Sequence, residues 1–173
     1  MELIIEFTKL LLPAAIVLYA MYLVVKSFLT KELETKMLEL KTKNTDTILP
    51  IRLQAYERIC LFLERMSPNN LIPRLNKGEL SAREFQHVIL NEISEEFNHN
   101  VSQQVYMSSE AWNNVKNSKE DLKVTVNNAA EAVGDDGTSI NLAKEILEMY
   151  AARENDPLSD ALEYLKDEIR QYF

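Results

Sequence analysis

Hydrophobic positions form one long run near the N-terminus and recur at helical spacing afterwards. No charged residue occurs from Leu10 to Val25, and with Lys26 included the run extends to Leu29, which gives 20 residues. A helix of that length rises about 30 Å, the thickness of the hydrocarbon core of a bilayer. The pattern therefore predicts a single transmembrane helix over residues 10–29.

Two other interpretations of this run fit the sequence less well. An earlier span, Leu3–Val25, would bury Glu6 and Lys9 and would place Pro13 in the middle of the helix. In the later span Pro13 falls in the first turn, where its missing N–H costs little. A cleaved signal peptide would need a basic start and a small-residue cleavage site, and Val24–Ser27 offers no such site. We therefore expect a retained anchor.

The pattern after the anchor predicts a helical neck and then a separate domain. Four apolar residues at helical spacing, with charges on the other face, predict a helix over 27–43. They are Leu29, Leu33, Met37 and Leu40. The polar segment 44–47 predicts a break and supplies N-cap residues for the next helix. The expected organisation is an anchor with a juxtamembrane helix over 1–44 and a helical domain over 45–173.

Five helices are predicted in the domain. The chain holds only three glycines and five prolines and has no alternating β-branched runs, which favours an all-α fold. The predicted helices cover 48–66, 81–98, 109–133, 138–154 and the segment from 157 onwards. Their start signals are the Ser81–Glu84 capping box, Thr138, and Asp156 before a proline. The inner faces include Leu61, Leu63, Val88 and Tyr172.

The expected fold is thus one N-terminal transmembrane helix, extended by a short neck into a compact cytoplasmic helical bundle. Segments 67–70 and 134–137 end helices, and Pro73 marks a short turn. Segment 99–108 could be either helix or loop. A long stator-type stalk is the alternative architecture, but prolines and glycines interrupt the chain too often for an unbroken apolar repeat.

Flanking charge predicts the orientation of the anchor. One lysine, Lys9, precedes the run, whereas five lysines follow it within about 20 residues, and the positive-inside rule counts only Lys and Arg. The five are Lys26, Lys31, Lys36, Lys41 and Lys43. We therefore expect the N-terminus outside and the domain in the cytoplasm. The lone Cys60, in an apolar run, permits no disulfide within one chain.

The charge balance argues against nucleic acid as a partner. The formal net charge is −8, and residues 131–173 hold eleven acids against four basic residues. Nucleic-acid binding needs a basic face, which this chain lacks. The acidic region is expected to be a solvated, membrane-distal pair of helices; a docking face for a basic partner is the alternative.

The sequence contains no complete metal-binding or catalytic motif. Glu84–His87 and Glu96–His99 have the Glu-x-x-His spacing of di-metal helix bundles, but both lie on one predicted helix, about 18 Å apart. Asp135-Asp136-Gly137 lacks the other acids of a calcium loop. No phosphate-binding glycine loop or nucleophile elbow occurs. We therefore predict no catalytic, cofactor-binding or metal residues and no cofactor.

Two stretches carry a family resemblance. They are Glu96–Trp112, with an amide-rich polar run and two large aromatic residues, and Ile51–Arg58. Together they resemble a family of uncharacterised bacterial single-pass membrane proteins with an N-terminal anchor and a helical cytoplasmic domain. The resemblance spans the whole chain. It implies a location at the bacterial inner membrane and implies no activity.

Two sets of residues are candidates for protein contacts. In the anchor, side chains at spacings of 4, 3 and 4 share one helix face: Ala15, Tyr19, Tyr22 and Lys26. In the polar run, the candidates are Gln103, Gln104, Tyr106 and Trp112, although these could equally bond across helix ends in the core. The favoured function is a membrane-anchored interaction protein, a scaffold or accessory subunit that binds other membrane proteins or further copies of itself. The alternative is a membrane-tethered enzyme with an unrecognised active site.

Overall fold

The protein is almost entirely helical, as the hydrophobic pattern predicts. The computed structural model describes residues 1–171, without the side chains at 2–6, 8, 10, 41 and 44–46. Helices make up 87% of the chain. Within residues 1–171 the β-type pairing is limited to one isolated bridge between Ser81 and Thr138. The predicted all-α class is confirmed.

Seven helices follow one another along the described residues. They are α1 (Glu2–Met66), α2 (Pro68–Leu75), α3 (Ala82–Asn100), a 3₁₀ helix (Val101–Tyr106), α4 (Ser109–Val133), α5 (Ser139–Ala151) and α6 (Pro157–Arg170). The chain divides into two compact units, residues 1–48 and a second unit that begins at Leu49.

The first helix is longer than the sequence predicts. The expected break at 44–47 is wrong, because α1 continues to Met66. The hydroxyl of Thr47 donates to the carbonyl of Lys43 at 3.0 Å, so it bonds within α1 instead of capping a new helix. The helix also begins at Glu2, so Pro13 lies inside it and not in its first turn.

The first unit consists of the N-terminal part of α1. Every side chain from Leu11 to Leu40 is exposed. Among the described residues, one helix is long and apolar enough to cross a membrane, over the 30 residues Leu11–Leu40. This stretch contains most of the predicted 10–29 span and continues into the predicted neck.

The second unit has its own hydrophobic core. Helix α4 packs against α3, α5 and α6, and α3 also packs against α5. The remaining part of α1 adds a buried face at helical spacing to this core. That face consists of Tyr56, Ile59, Phe62, Leu63 and Met66.

The predicted starts of the helices are more accurate than the predicted ends. The Ser81–Glu84 capping box is present, and Thr138 and Asp156 cap α5 and α6. Helix α5 ends at Ala151, three residues before the predicted end. Where only a turn around Pro73 was expected, α2 forms, with Pro68 in its first turn.

Two residues assigned to inner faces lie on the surface. Leu61 is 55% exposed and Val88 is 39% exposed. Leu61 stands about 160° round the helix from the buried Leu63, so one face cannot hold both. Tyr172, predicted for the inner face of the last helix, lies outside the described residues.

Candidate interaction surface

The segment that the sequence left open, 99–108, contains the 3₁₀ helix Val101–Tyr106. This helix joins the end of α3 to α4, whose N-cap is Ser108. A 3₁₀ helix is short and has poorer hydrogen-bond geometry than an α-helix, so its position depends on side-chain contacts. Two contacts to other elements of the second unit hold this segment, one at Ser108 and one at Tyr106.

The first contact is a hydrogen-bond network around Glu168 of α6. The backbone N–H of Ser108 donates to Glu168 Oε1 at 3.0 Å, and the Ser108 hydroxyl donates to Oε2 at 2.6 Å. The hydroxyl of Tyr56, on α1, donates to the same Oε1. The network therefore ties α1, the start of α4 and α6 together.

The charge state of Glu168 follows from these bonds. Partial burial alone would raise the pKa of its carboxyl group, because the charged form loses hydration. The hydrogen bonds from Ser108 and Tyr56 outweigh this effect and hold the pKa below its ordinary value. The carboxylate is thus ionised at neutral pH, which is the form that accepts all three bonds.

The second contact joins α1 directly to the 3₁₀ helix. The guanidinium Nε of Arg52 donates to the backbone carbonyl of Tyr106 at 3.0 Å. This carbonyl belongs to the last residue of the 3₁₀ helix, where backbone acceptors lack helical partners. Arg52 therefore holds the end of the 3₁₀ helix against the first turns of α1 in the second unit.

The two elements enclose a surface cleft of about 420 Å³, which we call the α1–3₁₀ cleft. Its lining residues are Ile51, Gln54 and Arg58 from α1, and Ser102, Gln103, Val105 and Tyr106 from the 3₁₀ helix. The α1 residues are spaced by three and four and therefore share a helix face. Val105 is 78% exposed, so most of its apolar side chain is accessible at the surface of the cleft.

The charge and polarity of the cleft define what it can contact. Arg58 makes no ion pair with the described residues of the chain. The amides of Gln54 and Gln103 add donors and acceptors, and Ile51 and Val105 add apolar surface. The cleft can therefore bind a segment that presents an apolar side chain next to a carboxylate.

The four predicted contact residues of the polar run do not lie together in the structure. Gln103 and Tyr106 line the α1–3₁₀ cleft, and Gln104 is exposed on the same 3₁₀ helix. Trp112 lies apart from them in the core, 8% exposed, and stacks on Phe97 with ring centres 5.3 Å apart. The ammonium of Lys119 covers the Phe97 ring at 4.1 Å. Trp112 thus packs inside the unit and does not line the cleft.

The predicted contact residues of the anchor all lie on the exposed surface of α1. Tyr19 is 65% exposed and Tyr22 is 58% exposed, and Ala15 and Lys26 are exposed beside them. The Lys26 ammonium lies 6.0 Å from the centre of the Tyr22 ring. The four residues therefore present one continuous face of the helix.

A larger cleft of about 590 Å³ lies between α3, α4 and the turn after α4. Four of its five polar side chains are paired with one another, and Glu131 is the fifth. Gln86 donates to Asn127 at 2.9 Å, and Arg83 lies 3.7 Å from Asp135. Most polar side chains of this cleft are therefore less available to a binding partner than Gln54 and Arg58 of the α1–3₁₀ cleft.

The motifs with metal-like spacing have other positions. Both His87 and His99 are exposed on α3, and Glu84 accepts from Ser81 in the capping box at 3.0 Å. Among the described residues, no group of three or more His, Cys, Asp and Glu side chains could hold a metal ion.

The Cys60 thiol is half-buried against the core, and burial raises its pKa, which disfavours the reactive thiolate.

The cleft residues Ile51, Gln54, Arg58 and Val105 were missed as site residues by sequence reasoning. Ile51, Gln54 and Arg58 do share a helical spacing, but that spacing does not reveal which element covers them. Val105 follows the polar residues 102–104 but precedes Tyr106 and Met107, so its exposure could not be told from the sequence.

Comparison with known proteins places the whole chain in one family. The model of a family of unknown function, DUF7935, matches residues 2–172. The chain belongs to this family. No curated protein and no solved structure matches it. The predicted resemblance to an uncharacterised family is confirmed, and the match includes both the apolar N-terminal helix and the helical unit that carries the cleft.

Proposed function

We propose that this DUF7935 protein is a membrane-anchored interaction protein, a scaffold or accessory subunit of an assembly at the bacterial inner membrane. One helix anchors it, with the N-terminus outside and the helical unit in the cytoplasm. The α1–3₁₀ cleft binds a segment of a partner protein in that assembly.

The exposed apolar stretch of α1 supports the anchor. Residues 10–29 include eleven Leu, Ile, Val or Phe residues, and from residue 11 onwards the side chains are exposed. At roughly −0.3 to −0.6 kcal/mol each, eleven such residues favour insertion by about 3 to 7 kcal/mol. In water the same surface would be a strong aggregation site. A bilayer is the environment that removes this cost.

The distribution of lysines supports the orientation. Lys9 precedes the apolar stretch, and five lysines follow it between Lys26 and Lys43. Basic residues near a span are retained on the cytoplasmic side, whereas acidic residues have little influence. Lys26 lies near the end of the stretch, and its long aliphatic stem allows the ammonium to reach the interface.

The exposure of Val105 is the observation that carries the interaction role. Its side chain is 78% exposed in a cleft that also contains Ile51 and Arg58, and Arg58 makes no ion pair with the residues that the structure describes. Protein interfaces commonly have an apolar centre and a polar rim, and Val105 and Ile51 lie among the polar side chains of the cleft in this way. The Glu168 network and Arg52 hold the cleft in shape, so little ordering is needed when a partner binds.

Substitution at the cleft tests this function. The full-length protein is purified in mild detergent from its native membrane, with Val105→Asp compared against Val124→Asp. Val124 is a matched control, because it is 53% exposed on α4 and does not line the cleft. We expect a co-purifying membrane protein to be lost with Val105→Asp and retained with Val124→Asp. The same set of proteins with both variants would overturn the proposed role of the cleft.

A further inference from the structure

An exposed apolar stripe runs along the neck part of α1, within the first unit. The residues that form it are Leu29, Leu33, Met37, Leu40 and Ile48. Each of these side chains is between 50% and 68% exposed. The residues around them are mostly charged or polar, and Lys36 pairs with Glu32 beside the stripe at 3.1 Å. A helix with one apolar face of this kind gains its stability by packing that face against something.

The stripe continues the candidate face of the anchor. At about 100° per residue, the four anchor positions and the five neck positions fall within an arc of about 100° on one side of the helix. The anchor positions are Ala15, Tyr19, Tyr22 and Lys26. The face therefore runs from the apolar stretch to Leu40 with positions three or four apart, and Ile48 follows eight positions later, along a part of α1 that is helical throughout.

The spacing of the face fits pairing between straight helices. Tyr22 and Leu33 are eleven positions apart, as are Leu29 and Leu40, and Met37 and Ile48. An eleven-residue repeat gives 3.67 residues per turn, close to the 3.6 of an unsupercoiled helix. The face also contains seven-residue spacings, as between Tyr22 and Leu29 and between Leu33 and Leu40. Seven-residue and eleven-residue spacings twist a helix pair in opposite directions, so their mixture keeps two copies in contact with little net supercoiling.

We propose that the occupant of this stripe is the same stripe of a second copy of the chain, so that α1 forms a parallel homodimer. The parallel arrangement rests on the membrane anchoring proposed above. Two copies inserted in the same orientation present identical residues at the same height, so the apolar faces meet in register. Confinement to one membrane also raises the effective concentration of each copy for the other.

The stripe and the anchor face together present the area that such a pair needs. The five stripe side chains, each 50% to 68% exposed, present roughly 600 Å² per copy, so two copies of the stripe alone can bury at most about 1,200 Å², the lower limit of stable specific interfaces. The anchor face adds to this area. Its two tyrosine hydroxyls gain hydrogen-bond partners across the pair, which lipid tails do not provide.

Lys26 is the one charge on the face, and its position makes it compatible with pairing. It lies near the end of the apolar stretch, and its ammonium sits over the Tyr22 ring, 6.0 Å from the ring centre. A lysine stem can run along the helix while the charged group reaches water. The two copies of Lys26 therefore need not meet between the helices.

Cysteine crosslinking in the full-length protein tests the pair. In a Cys60→Ala background, single cysteines replace Leu40 or, as the matched control, Leu38. The two leucines are 63% and 67% exposed and lie about 160° apart round the helix. After mild oxidation in native membranes, we expect at least fivefold more species of twice the 20.0 kDa chain mass with Leu40→Cys than with Leu38→Cys. Two differently tagged copies, expressed together, should both occur in that species.

A second pair of variants separates loss of pairing from loss of folding. Leu40→Glu should shift the detergent-solubilised protein from dimer to monomer by light scattering, and Leu38→Glu should leave it dimeric. Equal crosslinking at 38 and 40, a crosslinked species that contains another protein, or a monomeric wild type would each overturn the homodimer. Loss of the Val105-dependent partner would not affect this readout, so the two proposals fail independently.

Discussion

The hydroxyl of Tyr56 on α1 donates a hydrogen bond to the carboxylate of Glu168 on α6, 112 positions later in the chain. Tyr56 is 1% exposed, and Glu168 also accepts two bonds from Ser108. The contact joins the first helical segment of the second unit to its last helix. It also fixes the start of α4, next to the 3₁₀ helix that lines the cleft.

The first prediction is that residues 46–173 fold without the anchor. This fragment contains the whole core of the second unit and the Glu168 network. We expect a soluble protein with a strongly helical circular dichroism spectrum and a cooperative unfolding transition. A spectrum with substantial strand content, or a non-cooperative transition, would contradict it.

The second prediction concerns acid pH. A carboxyl group whose pKa is lowered in the folded state stabilises the fold above its unfolded pKa, and this stabilisation is lost as the pH falls through the folded pKa. For Glu168 the loss should begin near its ordinary value of 4.5 and continue below it. Urea unfolding of the 46–173 fragment between pH 7 and pH 3 measures the effect.

Glu168→Gln isolates this contribution. The variant should be less stable at pH 7 by about 1 to 3 kcal/mol, because hydrogen bonds to a charged acceptor are lost or weakened. Its stability should also fall less steeply than that of the wild type below pH 4.5. Glu163→Gln, on the exposed face of α6, is the control and should keep the wild-type profile. An unchanged acid profile in Glu168→Gln would refute the assignment.

The third prediction compares two leucines on the same helix. Leu63 is 1% exposed in the core, whereas Leu61 is 55% exposed. Leu63→Ala should lower the free energy of unfolding of the fragment by roughly 2 to 5 kcal/mol, since it leaves a cavity in close-packed surroundings. Leu61→Ala should change it by less than about 0.5 kcal/mol. Chemical unfolding at pH 7 distinguishes the two, and similar losses would mean that α1 packs through a different face.

Local signals explain why the helices of the second unit could be predicted from sequence. The Ser81–Glu84 box, Thr138 and Asp156 each satisfy backbone donors within a few residues, so their effect does not depend on the rest of the fold. The continuity of α1 could not be read in this way. A threonine hydroxyl can cap a new helix or donate to the carbonyl four residues earlier, and Thr47 does the second, to Lys43.

The cleft depends on contacts between residues that are distant in sequence. Arg52 meets the Tyr106 carbonyl 54 positions later, and this bond sets the position of the 3₁₀ helix. Residue spacing gives the face of a helix, but it does not identify the element that packs beside it. Gln103 and Tyr106 were therefore predictable as contact candidates from composition, whereas Ile51 and Arg58 required the fold.

The last prediction concerns the orientation of the anchor in the membrane. If the lysines after the apolar stretch are retained in the cytoplasm, a reporter that works only in the cytoplasm should be active when it is fused after Phe173. A reporter that works only after export should be inactive at the same position. The physical reason is the asymmetry of one lysine before the stretch against five after it, between Lys26 and Lys43.

Charge substitutions provide the control for this result. Replacement of Lys26, Lys31 and Lys36 by Gln, together with three lysines added before Leu10, should move a measurable fraction of the reporter to the outside. Replacement of Glu32, Glu34 and Glu39 by Gln should leave the orientation unchanged, because acidic residues contribute little to it. An active exported reporter on the wild-type protein, or a topology that ignores the lysine changes, would show that the flanking charges do not set the orientation.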